Sequence, residues 1–478
     1  MLKASTSLEL ARTATRIVLT FIPVILLTNA KSRQKMQYAA LHGVPKSEES
    51  QARAWKQIRH RKYLLYGLLL VPITLFWATI LASLEKTPLT GRWRLIILSP
   101  EEEDEIAAQL AGPGWYKAVG EILSQDGPPK VIPITDWRYA WVEETLRKLE
   151  ATIPILTKEP KMYPQWLDGR QDQPPMPPPA DFPLLPRPRA SEYLRRFCDA
   201  ICDDGRNQRK AMYAMPHSIS GPPYSLLLVD KPEASNAFSY GFGPDGGGGI
   251  VVYSGFLNDV LSRAPSIPDE QRESSWWSSF VGSLFSSPPP PRHPVPTPEQ
   301  TSELAILLAH ELSHLVLSHH LESLSSATVI IPGTISMLTD IFRVVIFPLT
   351  MLFGPFVNDA VAQLGKVGSG ELIKVGELCT NMKQEIEADV VSARLLAHAG
   401  FDARDAVKFW EVRSMTECSR TDSIEPRLKF NVARQIMGST HPVNELRIEG
   451  LKEELARWET ERAAVISRYR TSLHGDAL

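Results

Sequence analysis

Cysteine is scarce: Cys198, Cys202, Cys379 and Cys418 are the only four in 478 residues. No two form a Cys-x-x-Cys pair, which excludes a thiolate-built zinc ribbon and a disulfide-dense scaffold. Cys198 and Cys202 stand at helical spacing and could bridge only with local distortion, so all four read as free or structural thiols. An excess of one charge is also lacking. Lys and Arg number 52 and Asp and Glu 54, a formal net charge of −2. With no basic patch outside the flanks of one apolar run, nucleic acid is not expected as a partner. No internal repeat is evident, so the chain is not a stacked array. No small-residue cleavage site follows the first apolar stretch, which argues against a secretory signal peptide. What remains is a chain that is 43% hydrophobic, long enough to bury one large core or two smaller ones.

One apolar run is long enough to cross a bilayer. Residues 63–84 carry no charge over 22 positions, with Tyr63, Tyr66 and Trp77 among them. Lys31, Arg33, Lys35, Lys46, Arg53, Lys56, Arg59, Arg61 and Lys62 precede the run, and the distal side turns acidic at Glu101 to Glu105. This asymmetry points the rest of the chain away from the positive side. Ile17 to Leu27, preceded by Arg12 and Arg16, is too short for a second span and is expected to be an interfacial or short anchor.

A His-Glu-x-x-His run, His310, Glu311 and His314, lies in an otherwise apolar stretch from Leu304 to Leu321 that contains no breaker. Thr297, Pro298 and Gln300 supply an N-cap, a proline at the first helical position and a capping-box partner. A single helix holding both histidines near its middle is therefore expected. Residues four apart share a helix face, so the imidazoles can grip one zinc ion while Glu311 points at the water. Two imidazoles and a carboxylate are costly to bury in a Leu-rich helix, and a metal compensates that cost.

Such a site needs a third protein ligand and an open fourth position. The best candidate is Glu385, just inside a second helix expected from about 380 to 398 and stopped by Gly400. Asp389 shares its face four residues on and is placed to take the far N–H of a ligating histidine. Glu387 lies about 160° from that face and is the weaker candidate.

Together these motifs resemble the membrane-associated gluzincin peptidases, the group that includes HtpX, the CAAX prenyl protease and the mitochondrial Oma-type endopeptidase. Leu228 to Phe238 and Gly248 to Gly255 look like the paired strands that precede the zinc helix in that family, and Ser439-Thr440-His441-Pro442 with Arg447 looks like its closing motif. Pro88 to Arg94, leading into Ser99 to Asp104, looks most like the Oma type. The resemblance covers about residues 85 to 460. It implies an α+β, mostly helical fold with a zincin-like core, a small β-sheet and an N-terminal transmembrane helix. The implied cofactor is one Zn2+ per chain, and the implied activity is hydrolysis of peptide bonds. His310, His314 and Glu385 would hold the metal, with Asp389 behind them. Glu311 would be the general base, and His441 or Arg447 would stabilise the oxyanion. The implied setting is the mitochondrial inner membrane, single-pass, with residues 1–62 on the matrix side and the peptidase domain, 85–478, in the intermembrane space. Partners would be membrane-anchored or misfolded polypeptides and the bilayer itself; a homo-oligomer is left open. The Ser/Thr-rich, acid-poor first residues are compatible with that address.

Ile250, Val251, Val252 and Tyr253, after a glycine run, are expected to form an edge strand near the zinc to which an extended substrate could add. A third apolar region, Ala327 to Val357, lies between His314 and Glu385. One complete crossing would separate the ligands, and Pro332, Asp340, Arg343, Pro348 and Gly354-Pro355 interrupt the run, so a re-entrant or interfacial helical pair is expected. The proline tract within 170–190 reads as an extended linker or surface loop, 272–298 as a Ser/Pro loop, and Pro442 to about Arg470 as a long closing helix.

Overall fold

A computed structural model describes residues 4–43, 47–124, 127–159, 174–185, 187, 222–263, 293–353, 382–420 and 445–475. The protein is α+β and mostly helical, with a small sheet beside a group of apolar helices.

The chain opens with two long helices, α1 (Ser5–Leu41) and α2 (Glu48–Ser83). Their short connection makes them an antiparallel hairpin, and an Arg61 Nη1 to Ser32 Oγ hydrogen bond of 3.3 Å sets the register. Residues 17–27 thus run alongside the apolar half of α2. The expectation of a short anchor is corrected: this run is the middle of a 37-residue helix with an 18-residue stretch as apolar as a span. Among the described residues, three helical segments, Ser5–Leu41, Glu48–Ser83 and His319–Phe342, are long and apolar enough to cross a membrane, which points to membrane association and does not support the single-pass expectation. The Ser5 backbone N–H donates to Glu102 at 3.2 Å, placing the start of α1 beside the globular part, as the end of α2 is. The basic residues cluster at the opposite, turn end of the hairpin.

Directly after α2 come β1 (Leu84–Lys86) and β2 (Trp93–Leu95), paired antiparallel. Next are α3 (Pro100–Leu110), α4 (Pro113–Leu123), α5 (Trp137–Glu150) and the short α6 (Ile153–Leu156). Ser99 caps α3 through a complete capping box with Glu102.

The second sheet contains β3 (Ser225–Val229), β4 (Ala237–Gly241) and β5 (Gly248–Tyr253) in the order β3-β5-β4. β5 is parallel to β3 and antiparallel to β4. The segment Leu228 to Phe238 is therefore the end of one strand, a turn and the start of the next. More consequentially, Ile250 to Tyr253 is the central strand: both its edges are already paired, so it cannot accept a further one. The glycine before Ile250 serves packing instead. A Cβ on Gly249 would stand 2.4 Å from the Ser225 carbonyl oxygen and 2.6 Å from Trp115 Cζ2. Gly249→Ala is expected to cost about 1–3 kcal/mol by overpacking, read as a lowered unfolding midpoint.

Helix α7 (Ser254–Arg263) follows β5, and α8 (Pro298–Val316) packs against β4, β5, α5 and α7. Thr297 and Gln300 form the expected capping box. The helix is shorter than expected: Ser318 takes a left-handed φ of 57°, and a separate α9 (His319–Ser325) begins after it. A π-turn (Ser326–Ile330) then leads into α10 (Ile331–Phe353). The π-turn immediately precedes Pro332, so the missing amide donor is absorbed and helix continues where a break was expected. α10 lies against α1, where Arg16 and Asp340 form a 2.8 Å ion pair.

Residues 382–398 form α11, and Gly400 (φ +82°) terminates it as the sequence suggests. α12 (Asp405–Arg420) and α13 (Glu445–Gly475) complete the chain. α13 buries Ile448, Leu451, Leu455 and Trp458, one stripe at helical spacing. The proline tract does not behave as a free linker. It is extended, but the Pro178 carbonyl accepts from Arg394 at 2.9 Å and the Ala180 N–H donates to Glu159 at 3.1 Å, fixing it to the core. Cys198, Cys202, Cys379, most of the Ser/Pro loop and His441 lie outside the described residues, and the side chain of Cys418 does as well.

Candidate metal centre

Helix α8 delivers His310 and His314 on one face, and α11 brings Glu385 against them. One ligand atom from each of the three lies within 4.8 Å of the other two, and all three residues are buried. His310 Nε2 is 3.2 Å from His314 Nε2 and 3.2 Å from Glu385 Oε2, while His314 Nε2 is 3.5 Å from Glu385 Oε1. A tetrahedral zinc with bonds of about 2.0–2.1 Å sets its ligand atoms about 3.3 Å apart. The donor set fits that ion in type and spacing. Two imidazole nitrogens aimed at each other, with a carboxylate at the same point, need a cation or a shared proton between them.

Behind the ligands is a buried charged group. His310 Nδ1 lies 2.8 Å from Asp389 Oδ1, which orients the ring with Nε2 facing the centre. Asp389 also accepts from Arg447, at 2.8 Å from Nε and 2.9 Å from Nη2, and Arg447 Nη1 is 3.2 Å from Glu385. Burial opposes ionisation of Asp389, but Arg447 and His310 outweigh it and hold its pKa below the usual carboxylate range. Trp410 packs its ring against His310 and under the guanidinium of Arg447, whose carbon is 4.6 Å from the ring centre. Arg447, one of the two residues expected to stabilise the oxyanion, is buried and engaged with Asp389 and Glu385 behind the cluster.

Glu311 projects from α8 toward the sheet, where Ser239 of β4 donates to its Oε2 at 2.8 Å. His320 Nε2 is in turn 3.1 Å from Ser239 Oγ. Sequence reasoning did not find Ser239 or His320, because nothing in a strand of Ala-Phe-Ser-Tyr-Gly marks its central serine.

Glu387, the weaker ligand candidate, points elsewhere. It accepts from Thr90 Oγ and from Arg92 Nε (2.7 Å), and lies 3.2 Å from His319 Nε2. Burial would raise its pKa, yet the hydrogen bonds from His319 and Arg92 bring it down to about 2. His319 also reaches His314, with the two Nδ1 atoms 2.9 Å apart. A His-His dipeptide after a Leu-rich helix carried a signal for these contacts, but its meaning depends on the turn at Ser318.

No curated protein matches this chain. The family model described as "Peptidase family M48" matches residues 207–455, just over half of the chain, and takes in β3 to β5, the His-Glu-x-x-His helix, Glu385, Asp389 and Arg447. The chain therefore belongs to peptidase family M48, and within the matched region it carries a buried two-histidine, one-carboxylate cluster that could hold a metal ion.

Proposed function

We propose that this protein is a zinc-dependent endopeptidase of the Oma type, acting at a membrane surface on membrane-anchored or misfolded polypeptides. The observation that carries the reading is the convergence of His310, His314 and Glu385 within 4.8 Å, with Glu311 on the same helix. Zinc held there would supply a Lewis acid for the peptide carbonyl and lower the pKa of water at its open position.

The remaining steps fall to the chain. Glu311 takes the proton of the attacking water and returns it to the leaving nitrogen, with Ser239 holding one carboxylate oxygen in place. Asp389 and Arg447 hold His310 and Glu385, so the ligands need no reorganisation. Substrate pairing, expected at β5, moves to β4: it is the outer strand of the sheet, it packs on α8, and its Ser239 touches Glu311.

The membrane-surface placement rests on α10. It departs from the histidine side of the centre, and Glu385 of the same centre follows it in the sequence. Residues 354–381 contain Asn358, Asp359, Lys366, Glu371, Lys374 and Glu377, a poor composition for a return span. α10 is therefore read as embedded beside α1 without completing a crossing, which keeps the cleft next to the bilayer. The mitochondrial inner membrane, with the active region in the intermembrane space, follows from the Oma resemblance.

Metal analysis of the full-length protein in detergent tests the chemistry: about one zinc per chain, with cleavage of an unfolded polypeptide abolished by a chelator and restored by zinc. Metal-free protein, or chelator-resistant cleavage, refutes it. Subcellular fractionation with protease protection tests the compartment.

A further inference from the structure

Both histidines of the centre have a partner behind them, but the partners differ in kind. His310 is backed by a carboxylate, Asp389, at 2.8 Å. His314 is backed by another imidazole, that of His319, with Nδ1 to Nδ1 at 2.9 Å. His314 turns its Nε2 toward His310 and Glu385, so with Nε2 as a metal ligand its proton would reside on Nδ1 and be donated to His319. His319 can accept only if its own proton is on Nε2, and that atom lies 3.2 Å from Glu387 Oε2. Each ring then carries one proton and each proton has an acceptor.

The position of His319 is fixed from three sides. The left-handed turn at Ser318 folds the start of α9 back against α8, bringing the two rings edge to face with centroids 4.9 Å apart. Glu322, three residues along α9 on the same face, receives both Nη atoms of Arg92 at 2.8 and 2.7 Å. The Nε of the same guanidinium holds Glu387 of α11. One guanidinium therefore ties together the two helices that flank His319, and His319, Glu322 and Glu387 are all buried.

Arg92 comes from the turn between β1 and β2, which follows α2 without a break. That turn is tightly made: Leu89 and Gly91 adopt left-handed φ values of 68° and 71°, the Leu89 N–H donates to Phe182, and a Cβ on Gly91 would meet the Phe182 ring at 2.3 Å.

We infer that His319 is the positioning residue of the metal ligand His314, and that the Thr90-Gly91-Arg92 turn beyond the membrane helix is the clamp that holds it through Glu387 and Glu322. The inference rests on the metal reading above. It gives the Pro88 to Arg94 segment a purpose, because the ligand geometry becomes dependent on a hairpin joined directly to α2.

Zinc affinity of the full-length protein in detergent, measured by chelator competition, is the test. His319→Leu is expected to weaken zinc binding about 10–100-fold. His319→Asn, whose Oδ1 falls near the place of Nδ1, should recover most of that loss, whereas His319→Gln, whose oxygen falls near Nε2, should not. Arg92→Lys, which keeps the charge but not the fork, should weaken binding severalfold. Wild-type affinity in His319→Leu overturns the positioning role. If that variant does not fold, equal affinities of the Asn and Gln variants overturn it instead. Wild-type affinity in Arg92→Lys overturns the clamp. Absence of zinc from the unmutated protein is a different failure, and it removes the metal reading itself.

Discussion

Glu311→Gln is expected to bind zinc as the wild type does and to lose peptide hydrolysis by at least about 10²–10⁴-fold, the range a positioned general base contributes. Metal and activity should part because Glu311 is outside the cluster of His310, His314 and Glu385. Glutamine keeps the side chain's length and its hydrogen bond with Ser239 but cannot take a proton. The control is a ligand: His310→Ala or Glu385→Ala should lose metal and activity together. Equal cleavage rates for wild type and Glu311→Gln would remove Glu311 from the chemistry. Metal loss in Glu311→Gln would mean that the helix face is not the one described.

The second large effect concerns the charges behind the ligands. Asp389→Leu should cost about 3–5 kcal/mol of stability, because it leaves the buried Arg447 guanidinium without the carboxylate that takes two of its hydrogen bonds, with only Glu385 still beside it. It should also weaken zinc about 10–100-fold, since His310 Nδ1 loses its acceptor. The double change Asp389→Leu with Arg447→Met separates these consequences. Removing both charges should return most of the stability without returning metal affinity, as replacing a whole buried ion pair is far cheaper than breaking one. A double variant no more stable than Asp389→Leu would contradict the pairing of Asp389 with Arg447. If instead Arg447→Met alone slowed catalysis with unchanged zinc affinity and stability, Arg447 would act on substrate after all.

Local signals proved the most legible. The Thr297 to Gln300 capping box, the Gly400 stop and the i, i+4 spacing of His310 and His314 each depend on residues within one or two helical turns. Contacts between distant segments left no such trace. Arg92 meets Glu387 across nearly 300 positions, and neither residue announces the other. The order of the strands was equally hidden: Ile250 to Tyr253 is apolar enough for either a central or an edge place, and only the parallel crossover from β3 decides it. Ser318 was missed because serine rarely adopts a left-handed φ, so an apolar run from Leu304 to Leu321 looked uninterrupted. Pro332 misled in the opposite sense, since the π-turn before it carries the helix past a residue that ordinarily ends one.

The place of β4 at the end of its sheet has a consequence for selectivity. A polypeptide that adds to a strand of five residues must give up its own hydrogen bonds over a comparable stretch, roughly 17 Å of extended chain. Cleavage would then scale with the fraction of time a client's segment spends open. Every 1.4 kcal/mol of local stability in the client should slow its destruction about tenfold, whatever its side chains. Discrimination between sound and damaged proteins would be carried out by the clients' own folding equilibria, with no recognition motif required.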